Sequence, residues 1–143
     1  QLTDSVSMNM AMNAAVARYN NLSGLSKSIT AHYVPSVPTA DGNINGTIRF
    51  GAFASMNERT ALHEIGHTIG VGTSGRWGSL GCGGTFKGAA TTALVKQYDG
   101  QNATIKCDGQ HFWPYGLNFD SEFSQTNGDR HVKIVEAMVR DGL

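Results

Sequence analysis

The residue types best suited to chemistry in this 143-residue chain lie in the run His63-Glu64-Ile65-Gly66-His67. The pattern is His-Glu-x-x-His, and a helix with 3.6 residues per turn places histidines four residues apart on one face. Two imidazoles on one face can bind a single zinc ion. The glutamate between them can act as general base toward a water molecule. A hydrogen-bonded histidine pair with an incidental glutamate is the alternative interpretation.

The residues around this motif favour a helix that packs against a core. An apolar stripe at helical spacing is formed by Ala61, Leu62, Ile65 and Ile69. Ser55 or Asn57 is suited to be the N-cap, because a short polar side chain can accept a hydrogen bond from the first turn. Gly70 is suited to end the helix, because glycine readily adopts the left-handed conformation.

A catalytic zinc ion usually has three protein ligands and an open position for water, so a third ligand is needed. His111 is the preferred residue, because a disulfide at Cys107 and the ring of Pro114 could hold its loop rigid. Asp120 and Glu122 are the alternatives, since carboxylates also bind zinc. The sequence therefore predicts a zinc site made of the two motif histidines and His111.

Three further residues could take part in such a site. Tyr115 is predicted to have a second catalytic role, because a phenol near the metal can hydrogen-bond a developing oxyanion. Packing beside Trp113 is the alternative role for Tyr115. His32 lies in a predicted strand, and His131 lies at the start of the last predicted helix. Both are interpreted as surface or packing residues rather than ligands, and His131 is expected to face solvent.

The length and pattern of the chain indicate one α+β domain spanning residues 1–143. Helices are predicted over 4–20, 89–98 and 129–140, in addition to the motif helix, and extended segments over 28–34, 47–50 and 103–107. The apolar stripe of the first helix contains either Val6, Met10 and Ala14 or Met12, Val16 and Tyr19. Residues 35–45 form a turn-rich connection, and the glycine-dominated residues 71–88 form a loop. The strand 47–50 could be an edge strand that pairs with an extended peptide, or an internal strand.

Composition excludes several partner classes. Eleven basic and eleven acidic residues cancel, and no Lys/Arg cluster is present, so neither nucleic acid nor an anionic membrane surface is expected as a partner. No apolar run reaches the length needed to span a bilayer. The chain carries no signal peptide and begins with Gln1 rather than Met, which predicts a mature chain whose leader has been removed.

The two cysteines and the glycosylation sequons indicate an extracellular protein. Cys82 and Cys107 are the whole cysteine inventory, and a disulfide between them is expected, although a pair of reduced thiols is the alternative. Asn-x-Ser/Thr sequons begin at Asn21, Asn45 and Asn102, in segments predicted as loops or strand ends. The sequence therefore predicts a secreted, disulfide-bonded glycoprotein.

The run from His63 to Gly70 resembles the zincin metallopeptidases, and the glycine at its end is most similar to the metzincin branch. The resemblance covers residues 1–72. It implies a strand-rich upper half, a substrate cleft above the zinc helix, and endopeptidase activity with a glutamate base. Thr73 stands where metzincins have their third ligand, and no methionine is placed for their Met-turn. Gly72-Thr73 resembles an element of the deuterolysin-like aspzincins, but residues 74–78 contain no ligand aspartate.

The prediction from sequence is a secreted zinc endopeptidase, expected to be monomeric, with a protein or peptide as its substrate. Glu64 would take a proton from zinc-activated water and pass it to the leaving amine. One alternative is a zinc hydrolase acting on a glycan or cell-wall polymer, with an aromatic rim of Trp77, Phe112, Trp113 and Tyr115. The other alternative is a non-catalytic, zinc-stabilised binding module.

Overall fold

The computed structural model describes residues 2–143, and its side chains are described from Asp4 onward. The helices are α1 (Leu2–Leu22), α2 (Glu58–Ile69), α3 (Ala89–Asp99) and α4 (Gln125–Arg140). The strands are β1 (Thr30–Tyr33), β2 (Ala40–Gly42), β3 (Thr47–Phe50), β4 (Gly84–Thr85), β5 (Lys106–Cys107) and β6 (Phe112–Trp113). Short 3₁₀ turns lie at Phe53–Ser55 and Asp120–Glu122. The protein is a small α+β structure with two three-stranded sheets.

The first sheet has the order β1-β3-β2, with β1 parallel and β2 antiparallel to β3. The strand at 47–50 is therefore the central strand, paired on both sides, and its backbone is not available to an extended peptide. The internal-strand alternative is the one observed. The edge strand near the motif helix is β2, which lies inside the segment predicted as a turn-rich connection. Its three residues carry no apolar alternation that would have marked them as a strand.

Strand β2 lies directly against α2. A Cβ atom at Gly42 would overlap the backbone carbonyl of Glu64, and would also lie 3.2 Å from the Cβ of His67. Only glycine allows this close approach of a strand to a helix backbone. The edge of the first sheet is therefore held beside the motif that carries the histidines.

Helix α2 begins and ends as the sequence predicts. The Asn57 side chain accepts a hydrogen bond from the Thr60 N–H at 2.9 Å, so Asn57, and not Ser55, is the N-cap. The helix ends at Gly70, whose φ of 134° lies in the region that favours glycine. Arg18 connects the start of α2 to the rest of the fold, because its guanidinium pairs with Glu58 at 2.7 Å and with Asp129 at 2.5 Å.

The other helices differ from the prediction mainly in the start of α4 and in the buried face of α1. Helix α4 begins at Gln125, four positions before the predicted start, and its N-cap Ser124 accepts a hydrogen bond from the Asn127 N–H. This first turn was not predicted from sequence, because glycine at position 128 disfavours a helix. The structure requires glycine there, because a side chain would crowd Arg18 and Phe123.

In α1 the first proposed stripe is wrong, since Val6, Met10 and Ala14 are exposed. The second proposed stripe, with Met12 and Tyr19 buried, faces the core.

Buried side chains from all four helices and both sheets form one hydrophobic core. Its largest fully buried members are Phe50, Phe86 and Phe112. The carboxylate of Asp141 caps the start of α3. It accepts hydrogen bonds from the N–H groups of Ala90 and Thr91, both at 2.9 Å. Within residues 2–143, the helices lack the length and apolar character required to cross a membrane.

The second sheet has the order β4-β5-β6, with all neighbours antiparallel. The Cys82–Cys107 disulfide joins the end of β5 to the glycine-rich segment before β4, across a sequence separation of 25 residues. The tight turn between β5 and β6 is residues 108–111, closed by a hydrogen bond from the Asp108 N–H to the His111 carbonyl at 3.0 Å. The disulfide therefore anchors the base of the hairpin whose tip carries His111.

Replacing both Cys82 and Cys107 by serine is expected to lower the free energy of unfolding by about 3 kcal/mol, because the cross-link removes loop entropy from the unfolded chain. Urea unfolding of the double variant measures this loss. Wild-type protein treated with a reductant serves as the matched control and should show the same shift. A change below about 1 kcal/mol in both samples would contradict the prediction.

Candidate metal centre

The structure brings His63, His67 and His111 together at one point. The Nε2 atoms of His63 and His67 lie 3.1 Å apart, and one ligand atom from each of the three residues lies within 4.8 Å of the other two. Two nitrogen ligands of a tetrahedral zinc ion, each at about 2.0–2.1 Å from the metal, are about 3.3 Å apart. The spacing of the two motif histidines therefore fits the binding of one cation by both residues.

Hydrogen bonds orient both motif rings so that their Nε2 atoms face this point. The Nδ1–H of His63 donates to the Gly116 carbonyl at 2.8 Å, and the Nδ1–H of His67 donates to the Val71 carbonyl at 2.7 Å. With these tautomers, each Nε2 carries a lone pair and neither can donate to the other. Two lone pairs directed at one another are unfavourable unless a cation or proton lies between them. The donor set therefore fits a metal ion.

His111 reaches the cluster from the tip of the β5–β6 hairpin. Asp108 shapes the tip, because its Oδ1 accepts the backbone N–H groups of Gln110 at 2.8 Å and His111 at 2.6 Å. The indole N–H of Trp77 donates to the Asp108 carbonyl at 2.8 Å and fixes the hairpin against the core. The ring of His111 stacks on that of His63, with their centres 5.4 Å apart.

Gly72 allows the hairpin tip to approach the end of α2. Its φ of 68° lies in the left-handed region, and a Cβ atom there would overlap the backbone of Gln110. Glycine meets both requirements at once. Thr73 follows, and its hydroxyl donates to the His67 carbonyl at 2.6 Å. Thr73 thus stabilises the end of the helix, and the third imidazole of the cluster comes from His111.

Glu64 lies beside the three histidines without joining them. The residue is 6 % exposed, its Oε2 lies 4.0 Å from the Nε2 of His67, and that oxygen has no hydrogen-bond partner within residues 2–143. Burial, and to a lesser degree the nearby Asp41 carboxylate, raises the pKa of Glu64 to about 8, while Arg59 acts in the opposite direction. An unpartnered buried carboxyl oxygen is costly, and groups with such strongly shifted pKa values are frequent at functional sites.

An open cleft of about 640 Å³ gives access to this centre. Residues of β2, including Asp41 and Gly42, form one wall, and the hairpin tip with Gln110 forms another. Phe119 lines the cleft with a side chain 70 % exposed. The cleft lies between an edge strand and the face of α2 that carries the histidines.

The structure does not bring Tyr115 to the metal centre. Its hydroxyl donates to Asp99 at 2.7 Å and accepts from Arg130 at 2.9 Å, and Tyr115 does not line the cleft. The two alternative third ligands also have other partners within the described chain. Asp120 pairs with Arg59 at 2.8 Å, and Glu122 accepts the Phe119 N–H at 2.8 Å. Asp120 lines the cleft, but neither carboxylate belongs to the cluster of three imidazoles.

The expectation that His131 faces solvent is wrong, because its side chain is fully buried behind α2. A sequence signal for this was present: His131, Ile134, Val135 and Met138 follow the spacing of one apolar helix face. The proposed aromatic rim is also absent from the cleft. Trp77 and Phe112 are core residues, and Trp113 is exposed elsewhere, so among the described aromatic residues it is Phe119 that lines the cleft.

The stability of the metal-free protein is expected to be greatest near pH 6.5. Burial lowers the pKa of His63 to about 3 and of His131 to about 4, and it also lowers the pKa of His67. Below pH 6.5 the unfolded chain binds protons that these histidines exclude, which costs up to about 1.4 kcal/mol per pH unit for each of them. The raised pKa of Glu64 opposes this with one proton, but the histidines outweigh it, so stability falls as the pH falls below 6.5.

Above pH 6.5 the stability of the metal-free protein decreases as the pH rises. Folded Glu64 keeps its proton up to a pKa of about 8, whereas the unfolded residue has released it, so stability falls as the pH rises. Urea midpoints of the metal-free protein at pH 5, 6.5 and 8 measure both limbs. A midpoint that stays constant between pH 6.5 and pH 5 would contradict the burial of neutral histidines.

Comparison of this chain with protein-family models, with curated proteins and with solved structures finds no match. Its function is therefore inferred from the residues of the metal centre and the cleft.

Proposed function

We propose that this protein is a zinc-dependent metalloendopeptidase of zincin type. One observation carries the proposal: three imidazoles converge on one point of an open cleft, and a buried, unpartnered carboxyl oxygen of Glu64 lies beside them. A purely structural metal site has no use for such a carboxyl group, and it is closed by its ligands. The donor set, three neutral nitrogens, suits zinc among the common cations.

When bound, a zinc ion supplies positive charge that lowers the pKa of a water molecule towards about 7, favours the ionised form of a nearby carboxyl group and polarises the scissile carbonyl. His63 and His67 would hold it through Nε2, because their Nδ1–H groups are donated to the Gly116 and Val71 carbonyls. His111 would complete the protein ligands and leave a fourth position facing the cleft.

Glu64 is the general base in this proposal. Its Oε2 accepts a proton from the water whose oxygen attacks the scissile carbonyl carbon. The same oxygen then donates that proton to the leaving amine nitrogen as the C–N bond breaks. Glu64 is buried on α2, between the two motif histidines in sequence. One carboxyl group therefore serves both half-reactions.

The substrate in this proposal is an extended peptide that lies along β2. Strand β2 is an edge of its sheet and lines the cleft, so its free backbone groups can pair with another chain. The β2 strand replaces the strand at 47–50 in this role. A glycan substrate is less well supported, because Trp77 and Phe112 are core residues.

Secretion is part of the proposal. The Cys82–Cys107 disulfide is compatible with an oxidising, extracellular environment, where such bonds persist. The sequon residues Asn21, Asn45 and Asn102 are exposed, as glycosylation requires, although Asn21 lies in the last turn of α1 rather than in a loop. A protease acting outside the cell on proteins or peptides is consistent with both features.

Metal content and cleavage of a mixed peptide library test this function together. We expect one zinc ion per chain, cleavage within peptides, loss of cleavage with a chelator, and recovery on addition of zinc. Zinc binding without peptide cleavage, combined with release of acetyl or amide groups from a glycan polymer, would replace the peptidase with the glycan hydrolase. Zinc binding without turnover of either substrate would favour a binding module.

A further inference from the structure

His131 is a buried titratable residue to which the catalytic proposal gives no role. It lies on α4 with 1 % of its surface exposed, stacked on Phe112 at a ring distance of 5.7 Å and in edge contact with Tyr19 at 6.3 Å. A histidine is an unusual choice for a site that an aliphatic residue could fill, because its polar nitrogens must be satisfied.

The two ring nitrogens of His131 contact the two chain segments that hold His63. Its Nδ1 lies 2.7 Å from the Tyr115 carbonyl oxygen, and its Nε2 lies 3.1 Å from the Leu62 carbonyl oxygen. A neutral ring donates from one nitrogen only, and the shorter distance assigns that N–H to Nδ1, so Nε2 does not donate to the Leu62 carbonyl. The Leu62 carbonyl accepts instead from the Tyr19 hydroxyl, at 3.1 Å. Leu62 directly precedes His63 in α2.

The segment after Tyr115 has a conformation that must be held in place. Tyr115 and Leu117 have φ angles of 71° and 53°, in the left-handed region that non-glycine residues rarely adopt. Between them lies Gly116, whose carbonyl accepts the Nδ1–H of His63. A Cβ atom at Gly116 would overlap the Phe112 carbonyl, so this segment also folds tightly back on itself. Backbone in such a conformation persists only where its surroundings fix it.

We infer that His131 is a positioning residue for the metal centre. By donating to the Tyr115 carbonyl, it fixes the adjacent Gly116 carbonyl, which in turn sets the tautomer and ring orientation of His63. The chain of contacts runs from α4 to the 115–117 segment and then to the ligand, with no direct contact between His131 and the metal position required. The inference rests on the metal site of the proposed function, and it adds a partner that orients a ligand through an intermediate carbonyl.

Two substitutions distinguish a positioning role of His131 from a packing role. Asparagine places its amide N–H₂ where Nδ1 lies, so His131→Asn keeps the donor to Tyr115 but leaves a void. Glutamine extends to the position of Nε2, so His131→Gln fills more of the space but moves the donor away from Tyr115. We expect zinc affinity to fall about 10- to 100-fold in the glutamine variant and by no more than about threefold in the asparagine variant. The asparagine variant, although less well packed, should therefore bind zinc more tightly than the glutamine variant.

Tyr19→Phe is the matched control, because it removes a donor to the Leu62 carbonyl without touching the 115–117 segment. Its zinc affinity should stay within about twofold of wild type, whatever its loss of stability. Zinc titrations and urea midpoints are measured for all four proteins. Wild-type affinity in the glutamine variant, or affinities that follow the urea midpoints across the series, would overturn the inference alone. Absence of zinc binding by wild type would overturn the metal site and the inference together.

Discussion

Replacing Glu64 by glutamine is expected to lower kcat for peptide cleavage by about 10²- to 10⁴-fold while zinc stays bound. Glutamine has nearly the same shape but cannot accept a proton from water. Zinc should be retained because the three histidines form the ligand cluster and Glu64 is not a member of it. Steady-state kinetics and zinc content of the same preparation measure the two effects.

Glu58→Gln is the matched control for that change. Glu58 is a carboxylate on the same helix, but it pairs with Arg18 outside the cleft. This variant should keep the wild-type kcat, with at most a small loss of stability. If Glu64→Gln retains wild-type kcat, then Glu64 is not the base. If it loses zinc, the glutamate contributes to metal binding and the separation of roles is wrong.

Replacing His111 by alanine is expected to weaken zinc binding by more than about 100-fold, the upper range for losing a residue that only orients a ligand. The motif histidines alone supply two ligands, and a two-ligand site leaves the coordination of zinc incomplete. Folding should be retained, because His111 lies at the tip of a hairpin and its backbone contacts with Asp108 do not need the imidazole. Zinc titration monitored by competition with a chelating dye measures the loss.

His32→Ala controls for histidine content, since His32 is exposed on β1 and lies outside the cluster. It should bind zinc as wild type does. Undiminished zinc affinity in His111→Ala would contradict the assignment of the third ligand. In that case Asp120 or Glu122 would have to leave its present partner, and alanine variants at these two positions would identify the ligand.

The local features of the motif helix could be predicted from sequence, because they depend on residues close together in the chain. The spacing of His63 and His67, the cap at Asn57 and the stop at Gly70 follow from helix geometry and backbone preference. His111 could be predicted on chemical grounds, as a histidine in a constrained loop when a third ligand was required. Its convergence with the other two depends on the long-range fold, which the structure supplies.

What sequence could not provide depends on contacts between distant segments. Strand β2 is a strand because β3 pairs with it and because Gly42 can lie against α2, and its own three residues have no strand pattern. The expected role of Tyr115 assumed that proximity in sequence to His111 meant proximity in space. The left-handed backbone at Tyr115 instead carries its hydroxyl to Asp99 and Arg130.

The disulfide between Cys82 and Cys107 has a consequence for when the newly made chain can bind its metal ion. Two of the proposed zinc ligands come from one continuous helix, whereas the third comes from a hairpin whose base is anchored by that cross-link. A newly made chain with reduced thiols would therefore hold its metal weakly and remain catalytically silent. Under the proposed function, oxidation would act as a maturation step, and the proposed peptidase would gain full activity only where the disulfide can form.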